Sequence, residues 1–217
     1  MVNWSAIDTV LLDMDGTLLD LRYDNYFWLE YLPMRFARQY GMTEAAASAW
    51  LQKFSDSLHG TLNWYCVDYW SEAIGMDVEA LKQDVRHLVQ FRPGALDFLE
   101  FLHDSDKRCI LVTNAHPKAM ELKLVASGLG DYLHARYSSH TLQLAKENTG
   151  FWSKLQQKAG VDYQRSLFID DSLNVLRCAK AEGLPHLLQM LQPDTTLPVR
   201  PRSEFTGIVH FEEIMPA

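Results

Sequence analysis

Cysteine is scarce. Only Cys66, Cys109 and Cys178 occur in 217 residues. An odd, widely spaced set supports neither a disulfide framework nor paired zinc ligands. Each lies in an apolar stretch and reads as a buried free thiol in a reducing compartment. The opening Met1-Val2-Asn3-Trp4 lacks the basic-then-apolar pattern of a secretory leader. No run approaches the roughly 18 apolar residues of a membrane span. A soluble, cytoplasmic protein with no membrane partner is therefore expected. Positive charge is also in short supply: 20 Lys and Arg face 28 Asp and Glu, for a net charge of −8. With no basic run either, a nucleic-acid partner is disfavoured. A small phosphorylated ligand stays compatible, because local charge can differ from the net. There is no internal repeat and no low-complexity tract, and nothing specifies an oligomeric state.

What is present is ordinary globular material, 47% hydrophobic and 22% charged. The length suits one large domain or one domain carrying an insertion. Val10-Leu11-Leu12 is wholly apolar, as a strand covered on both faces should be. It ends in Asp13-Met14-Asp15-Gly16-Thr17. From residue 25 to about 89 the pattern turns helical, with Gly41, Gly60 and Gly75 as stops. Helices over about 25–40, 43–58, 61–74 and 78–89 are predicted, with no strand among them. After Pro93-Gly94, helix and strand alternate. Strands are expected at Cys109–Val112, near 134–138, at Ser166–Ile169 and at His186–Leu188, with helices over about 117–127, 148–159 and from Ser172, a candidate cap, to Gly183. A loop with Pro193, Pro198 and Pro201 follows. Alternation of this kind predicts an α/β fold on a parallel sheet.

In open parallel sheets, ligands bind beyond the carboxyl ends of the strands. Three apolar strands here end in reactive groups: Asp13 and Asp15, Thr113-Asn114, and Asp170-Asp171. If the strands are neighbours, four carboxylates converge, and like charges that close call for a cation. Oxygen-only ligands suit a hard ion, Mg²⁺ before Zn²⁺. One carboxylate can attack phosphorus, and a second can protonate the leaving group and then deprotonate water. Any single acid in such a turn is more often a solvated residue; the argument rests on all four together.

These segments resemble a known family. Asp13-Met14-Asp15-Gly16-Thr17-Leu18 is similar to motif I of the haloacid dehalogenase-like superfamily, Val112-Thr113-Asn114 to motif II, Lys146 to the lysine of motif III, and Phe168-Ile169-Asp170-Asp171-Ser172 to motif IV. Glu147 stands where a proline often follows that lysine, and Lys123 and Lys154 are the alternatives to Lys146. The resemblance implies a Rossmann-like core over 1–19 and 91–217 with an all-helical cap over 20–90. It implies Asp13 as nucleophile, Asp15 as general acid/base, Thr113, Asn114 and Lys146 around the phosphoryl group, and Mg²⁺ on Asp13, Asp15, Asp170 and Asp171. The acid at position 15 points to phosphate chemistry rather than dehalogenation.

The 20–90 block is aromatic-rich. In a helix over 61–74, Leu62, Tyr65, Cys66, Tyr69, Trp70 and Ala73 share one apolar face and should pack the block itself. Trp64 falls on the opposite face, a candidate to stack on a base. Arg22 and Tyr23, just past motif I, and His116, two residues after Asn114, are further candidates for contacting substrate. Leu62-Asn63-Trp64-Tyr65-Cys66, Asp24-Asn25-Tyr26-Phe27-Trp28 and Thr113-Asn114-Ala115-His116-Pro117 resemble bacterial GMP/IMP 5′-nucleotidases of the superfamily, where an acid also follows the lysine. That likeness implies purine nucleoside monophosphates as substrates. A small-metabolite or sugar phosphatase and a phosphosugar mutase carry the same four motifs and stay open. A non-catalytic phosphate-binding module is disfavoured by the intact Asp13, Asp15, Lys146 and Asp171.

Overall fold

The structure, a computed structural model, describes residues 2–216. Six parallel strands form one sheet: β1 (Thr9–Leu12), β2 (Arg108–Thr113), β3 (Ala135–Ser138), β4 (Ser166–Asp170), β5 (His186–Met190) and β6 (Thr206–Ile208), in the order β3-β2-β1-β4-β5-β6. β1 lies between β2 and β4, with Leu12 in register with Leu111 and Ile169. The three strands that carry the acidic and Thr-Asn termini are thus adjacent and end together.

Side chains alternate across the sheet, as the two-residue repeat of a strand requires. Val10, Leu12, Leu111, Leu167 and Ile169 pack into one apolar cluster, and Leu11, Ile110, Val112 and Phe168 into another on the opposite face. Burial on both faces is why these strands read as unbroken apolar runs. The expected α/β fold with a parallel sheet is observed. β6 was not foreseen, because its Thr-Gly-Ile offers too short a pattern. Ser172 occupies the N-cap of helix Leu173–Ala181 but makes no side-chain capping bond; its backbone N–H instead donates to Asp170 Oδ1 at 2.7 Å. Cys109 is buried, whereas Cys66 and Cys178 are only half-buried, which corrects the expectation for two of the three thiols.

Between β1 and β2 the chain is helical from Arg22 to Leu88. The first helix runs from Arg22 to Tyr40 through a widened π-helical turn at Phe27–Tyr31. Pro33 follows that turn, and its missing N–H leaves the i−4 ladder open where the helix widens. Helix Glu44–Leu58 is capped by Thr43, whose hydroxyl accepts from Ala46 N. The expected helix over 61–74 is two pieces, a 3₁₀ turn at Leu62–Tyr65 and an α-helix at Val67–Ile74, because Cys66 is extended and caps the second through Sγ. The helix expected over 78–89 ends at Asp84, and a 3₁₀ turn Arg86–Leu88 follows.

Candidate active site

A cavity of about 520 Å³ lies between the carboxyl ends of β1, β2 and β4 and the helical insertion. Its floor holds Asp13, Asp15, Thr113, Asn114, Lys146, Asp170 and Asp171. Its roof is largely apolar: Trp28, Leu29, Leu32, Leu51, Trp64, Tyr65 and Trp70 contribute, with Asn25, Ser48, Gln52 and Ser55 as polar points.

The turn after β1 is shaped by Gly16, at φ +85°. A Cβ there would meet Pro193 Cβ at 2.8 Å and Asp171 Cγ at 3.1 Å. Only glycine satisfies both the left-handed backbone and the close approach of the Asp171 loop. The turn places Asp13, 5% exposed, beside Asp170 and Asp171, with one oxygen of each within 4.8 Å of the others.

Lys146 is also buried. Its ammonium donates to Asp13 Oδ1 at 2.5 Å, Asp170 Oδ2 at 2.7 Å and Val112 O at 3.1 Å. Asn114 fixes that lysine's backbone: its Oδ1 accepts from Lys146 N at 2.9 Å, and its Nδ2 donates to Glu147 Oε2 at 2.9 Å. The Asn114 amide is therefore occupied in building the Lys146 loop. Thr113 Oγ1 accepts from Ala115 N at 3.0 Å and keeps its own proton for a ligand. Of the alternatives to Lys146, Lys154 Nζ donates to Leu142 O, whereas Lys123 borders the same cavity and meets Asp15 Oδ1 at 2.7 Å and Asp24 Oδ2 at 2.6 Å.

Burial pushes the carboxyls of Asp13, Asp15, Asp170 and Asp171 up to about 6, and neighbouring carboxylates add to the push. Lys146 opposes it at Asp13 and Asp170, Lys123 at Asp15, and Arg200 at Asp171. Burial also acts on Asp24, yet Lys123 and Lys82 hold that group down at about 2. Asp24 comes from the insertion, so the chain Asp15–Lys123–Asp24–Lys82 ties the floor to the roof through buried charge.

Of the residues singled out in the sequence, the structure gathers Asp13, Asp170 and Asp171 into one cluster and turns the Asp15 carboxylate to Lys123. Trp64 and His116 line the cavity. Arg22 and Tyr23 do not: Arg22 is exposed, and Tyr23 is buried with its hydroxyl donating to Lys82 O. Helix direction explains this, since Asp24, Asn25 and Trp28 carry the face toward the cavity. Tyr65 and Trp70, expected to pack the insertion, also border the cavity, because the break at Cys66 rotates the two halves independently. Sequence reasoning named Lys123 only as an alternative phosphate-binding lysine and missed its pairing with Asp15 and Asp24, the bond from Tyr65 Oη to Glu147 at 2.9 Å, and Arg200, whose Nη1 meets Asp171 Oδ2 at 3.0 Å. Arg200 arrives on the 193–204 loop, which packs under the site through Leu21 N to Pro193 O and Asn25 Nδ2 to Asp194 Oδ2.

A carboxylate cluster with a buried lysine at the carboxyl ends of a parallel sheet, under a helical insertion, defines a class of hydrolase. The model of the haloacid dehalogenase-like hydrolases matches residues 7–183, and the chain belongs to that family. Over 216 residues it is 36% identical to the GMP/IMP nucleotidase YrfG of Escherichia coli (strain K12), covering 100% of this chain and 97% of that protein. It is 26% identical over 184 residues to a phosphoglycolate phosphatase of Pseudomonas putida, covering 81% of this chain and 66% of that protein. Among solved structures, a HAD phosphatase from Thermococcus onnurineus superposes with a TM-score of 0.80 at 21% identity, covering 96% of each chain. No helix among the described residues is long and apolar enough to cross a membrane.

Proposed function

We propose that this phosphatase hydrolyses purine nucleoside monophosphates such as GMP and IMP, with Mg²⁺ and through an aspartyl-phosphate on Asp13. The observation that carries the reading is the two-sided cavity: buried carboxylates and Lys146 on one side, aromatic rings on the other. Its volume is within the range of small-molecule sites. The 36% identity to a GMP/IMP nucleotidase over the whole chain supports the purine nucleotide as substrate.

The donor set fits the ion. Asp13, Asp170 and Asp171 offer oxygen alone, are held within 4.8 Å, and are pushed up to about 6 by burial, with neighbouring carboxylates adding to the push. These are the ligands a hard divalent cation takes. When bound, Mg²⁺ would offset the charge of the incoming phosphate and of Asp13.

Asp13 attacks phosphorus, and the bond from phosphorus to the nucleoside 5′ oxygen breaks. Asp15 gives its proton to that leaving oxygen. Its raised carboxyl is suited to holding a proton near neutrality. Asp15 then takes a proton from water, the water oxygen attacks phosphorus, and phosphate leaves with Asp13 restored. Lys146 and Thr113 hold the phosphoryl oxygens throughout. Residues 20–90 act as a cap over the core formed by 1–19 and 91–217. Trp64 presents its face to the base while its Nε1 is held by Ser55 Oγ at 2.8 Å.

The test is phosphate release from GMP, IMP, AMP, CMP, FMN, phosphoglycolate and glucose phosphates, with Mg²⁺ and with EDTA. The proposal expects Mg²⁺-dependent release, highest from GMP and IMP. Release from sugar phosphates alone would discard the nucleotide reading and keep the phosphatase. An isomerised phosphosugar without phosphate release would make the chain a mutase.

A further inference from the structure

Beside the cavity lies a second group of ligating side chains that the hydrolytic chemistry does not use. Cys66, His116 and His140 each bring one ligand atom within 4.8 Å of the others. They come from three separate places. Cys66 sits in the insertion between the turn Leu62–Tyr65 and helix Val67–Ile74. His116 precedes helix Pro117–Ser127 beyond β2, and His140 is on the short helix Ser139–Leu142 after β3. The two imidazoles meet edge to face with ring centres 4.8 Å apart.

A second observation points to a ligand. His140 Nε2 is buried and has no hydrogen-bond partner. A buried polar nitrogen without a partner is costly, and a metal ion would satisfy it. Asp68 Oδ2 lies 3.7 Å from His116 Nε2 on the insertion side, its other oxygen held by Lys118 Nζ at 2.8 Å.

We infer that Cys66, His116 and His140 form a site for a borderline transition-metal ion such as Zn²⁺, separate from the oxygen-only carboxylate cluster. One thiolate and two imidazoles suit Zn²⁺ or Co²⁺ and do not suit Mg²⁺. A tetrahedral ion with bonds of roughly 2.0–2.3 Å sets its ligand atoms about 3.3–3.8 Å apart. The three ligand atoms, within 4.8 Å of one another, lie near that spacing. Binding releases the thiol proton, and the ion then joins the insertion to the sheet side of the molecule at the edge of the cavity.

Co²⁺ titration of the full chain, with Mg²⁺ saturating, reads this site directly. The proposal expects a thiolate-to-cobalt charge-transfer band that saturates at one ion per chain and is displaced by Zn²⁺. Oxygen ligands alone give no such band, so the carboxylate cluster cannot produce it. Cys66→Ser should abolish the band while preserving the cap bond to Tyr69 N, since a hydroxyl accepts it as well. His140→Gln should weaken Co²⁺ binding at least about 100-fold. Cys178→Ala should leave the band unchanged. No band in the wild type, or a band surviving Cys66→Ser, overturns the site. All three variants are checked by circular dichroism, and no result depends on which phosphate ester the enzyme hydrolyses.

Discussion

The two sides of the cavity are built on opposite principles. The floor is charged, buried and cross-braced. Lys146 alone joins Asp13, Asp170 and the carbonyl of Val112. The roof is apolar and made of rings, with Trp28 and Trp70 centres 4.8 Å apart and few polar anchors. Buried charge demands complete pairing, so the floor tolerates little change. Apolar packing tolerates volume-conserving exchange, so a roof can change its selectivity while the floor keeps its reaction. The charge chain Asp15–Lys123–Asp24–Lys82 is where the two meet.

The largest effect should come from the floor. Asp13→Asn should lower phosphate release from every substrate by at least about 10³-fold, the scale for loss of a catalytic nucleophile. The fold should persist, because Asn keeps the shape of the side chain and Asp170 still pairs with Lys146. A melting scan beside the assay checks both halves.

Chelation with EDTA should abolish turnover on all substrates alike, and the metal's effect on stability should depend on pH. The four carboxylates are raised from 3.8 to about 6 in the folded chain. The native state therefore binds more protons than the unfolded one between about pH 4 and 6, and stability falls as pH rises through that window. A divalent ion on the ionised carboxylates offsets this loss. The rise in melting temperature on adding Mg²⁺ should be larger at pH 7.5 than at pH 4.5. An equal rise at both would place the ion elsewhere.

Roof changes should be smaller and selective. Trp64→Ala should raise KM for GMP and IMP about 10-fold, as loss of one base-stacking ring implies. It should leave phosphoglycolate within about 2-fold. An equal loss on both would make Trp64 a packing residue. Smallest of all, Tyr65→Phe removes the 2.9 Å bond to Glu147 and keeps the ring. One hydrogen bond of about 1 kcal/mol to a partly wet acid predicts a change of at most about 5-fold in kcat/KM.

The same division decides what could be read in advance. The floor was legible because Asp13 follows, and Thr113 and Asp170 end, short apolar strands, so local sequence sets both residue and position. Asp13, Thr113 and Asp170 needed only the adjacency of β1, β2 and β4. Lys146 carried no such strand signal and rested on resemblance. The pairings of Lys123, Glu147 and Arg200 were invisible because their partners lie far along the chain: Lys123 meets Asp15 and Asp24, Glu147 meets Tyr65, and Arg200 meets Asp171. The roof was read only in part, for a local reason. Trp70 packs the core as expected and borders the cavity as well. A continuous helix over 61–74 puts Tyr65 and Trp70 away from the cavity, but the extended backbone at Cys66 breaks the 3.6-residue repeat. Helical periodicity carries no information across such a break.

The most direct test of this division of labour is one comparison of kcat/KM for GMP and for phosphoglycolate across wild type, Asp13→Asn and Trp64→Ala, with Mg²⁺ saturating. The account predicts that Asp13→Asn loses both substrates and that Trp64→Ala loses GMP alone. Turnover retained in Asp13→Asn would contradict it.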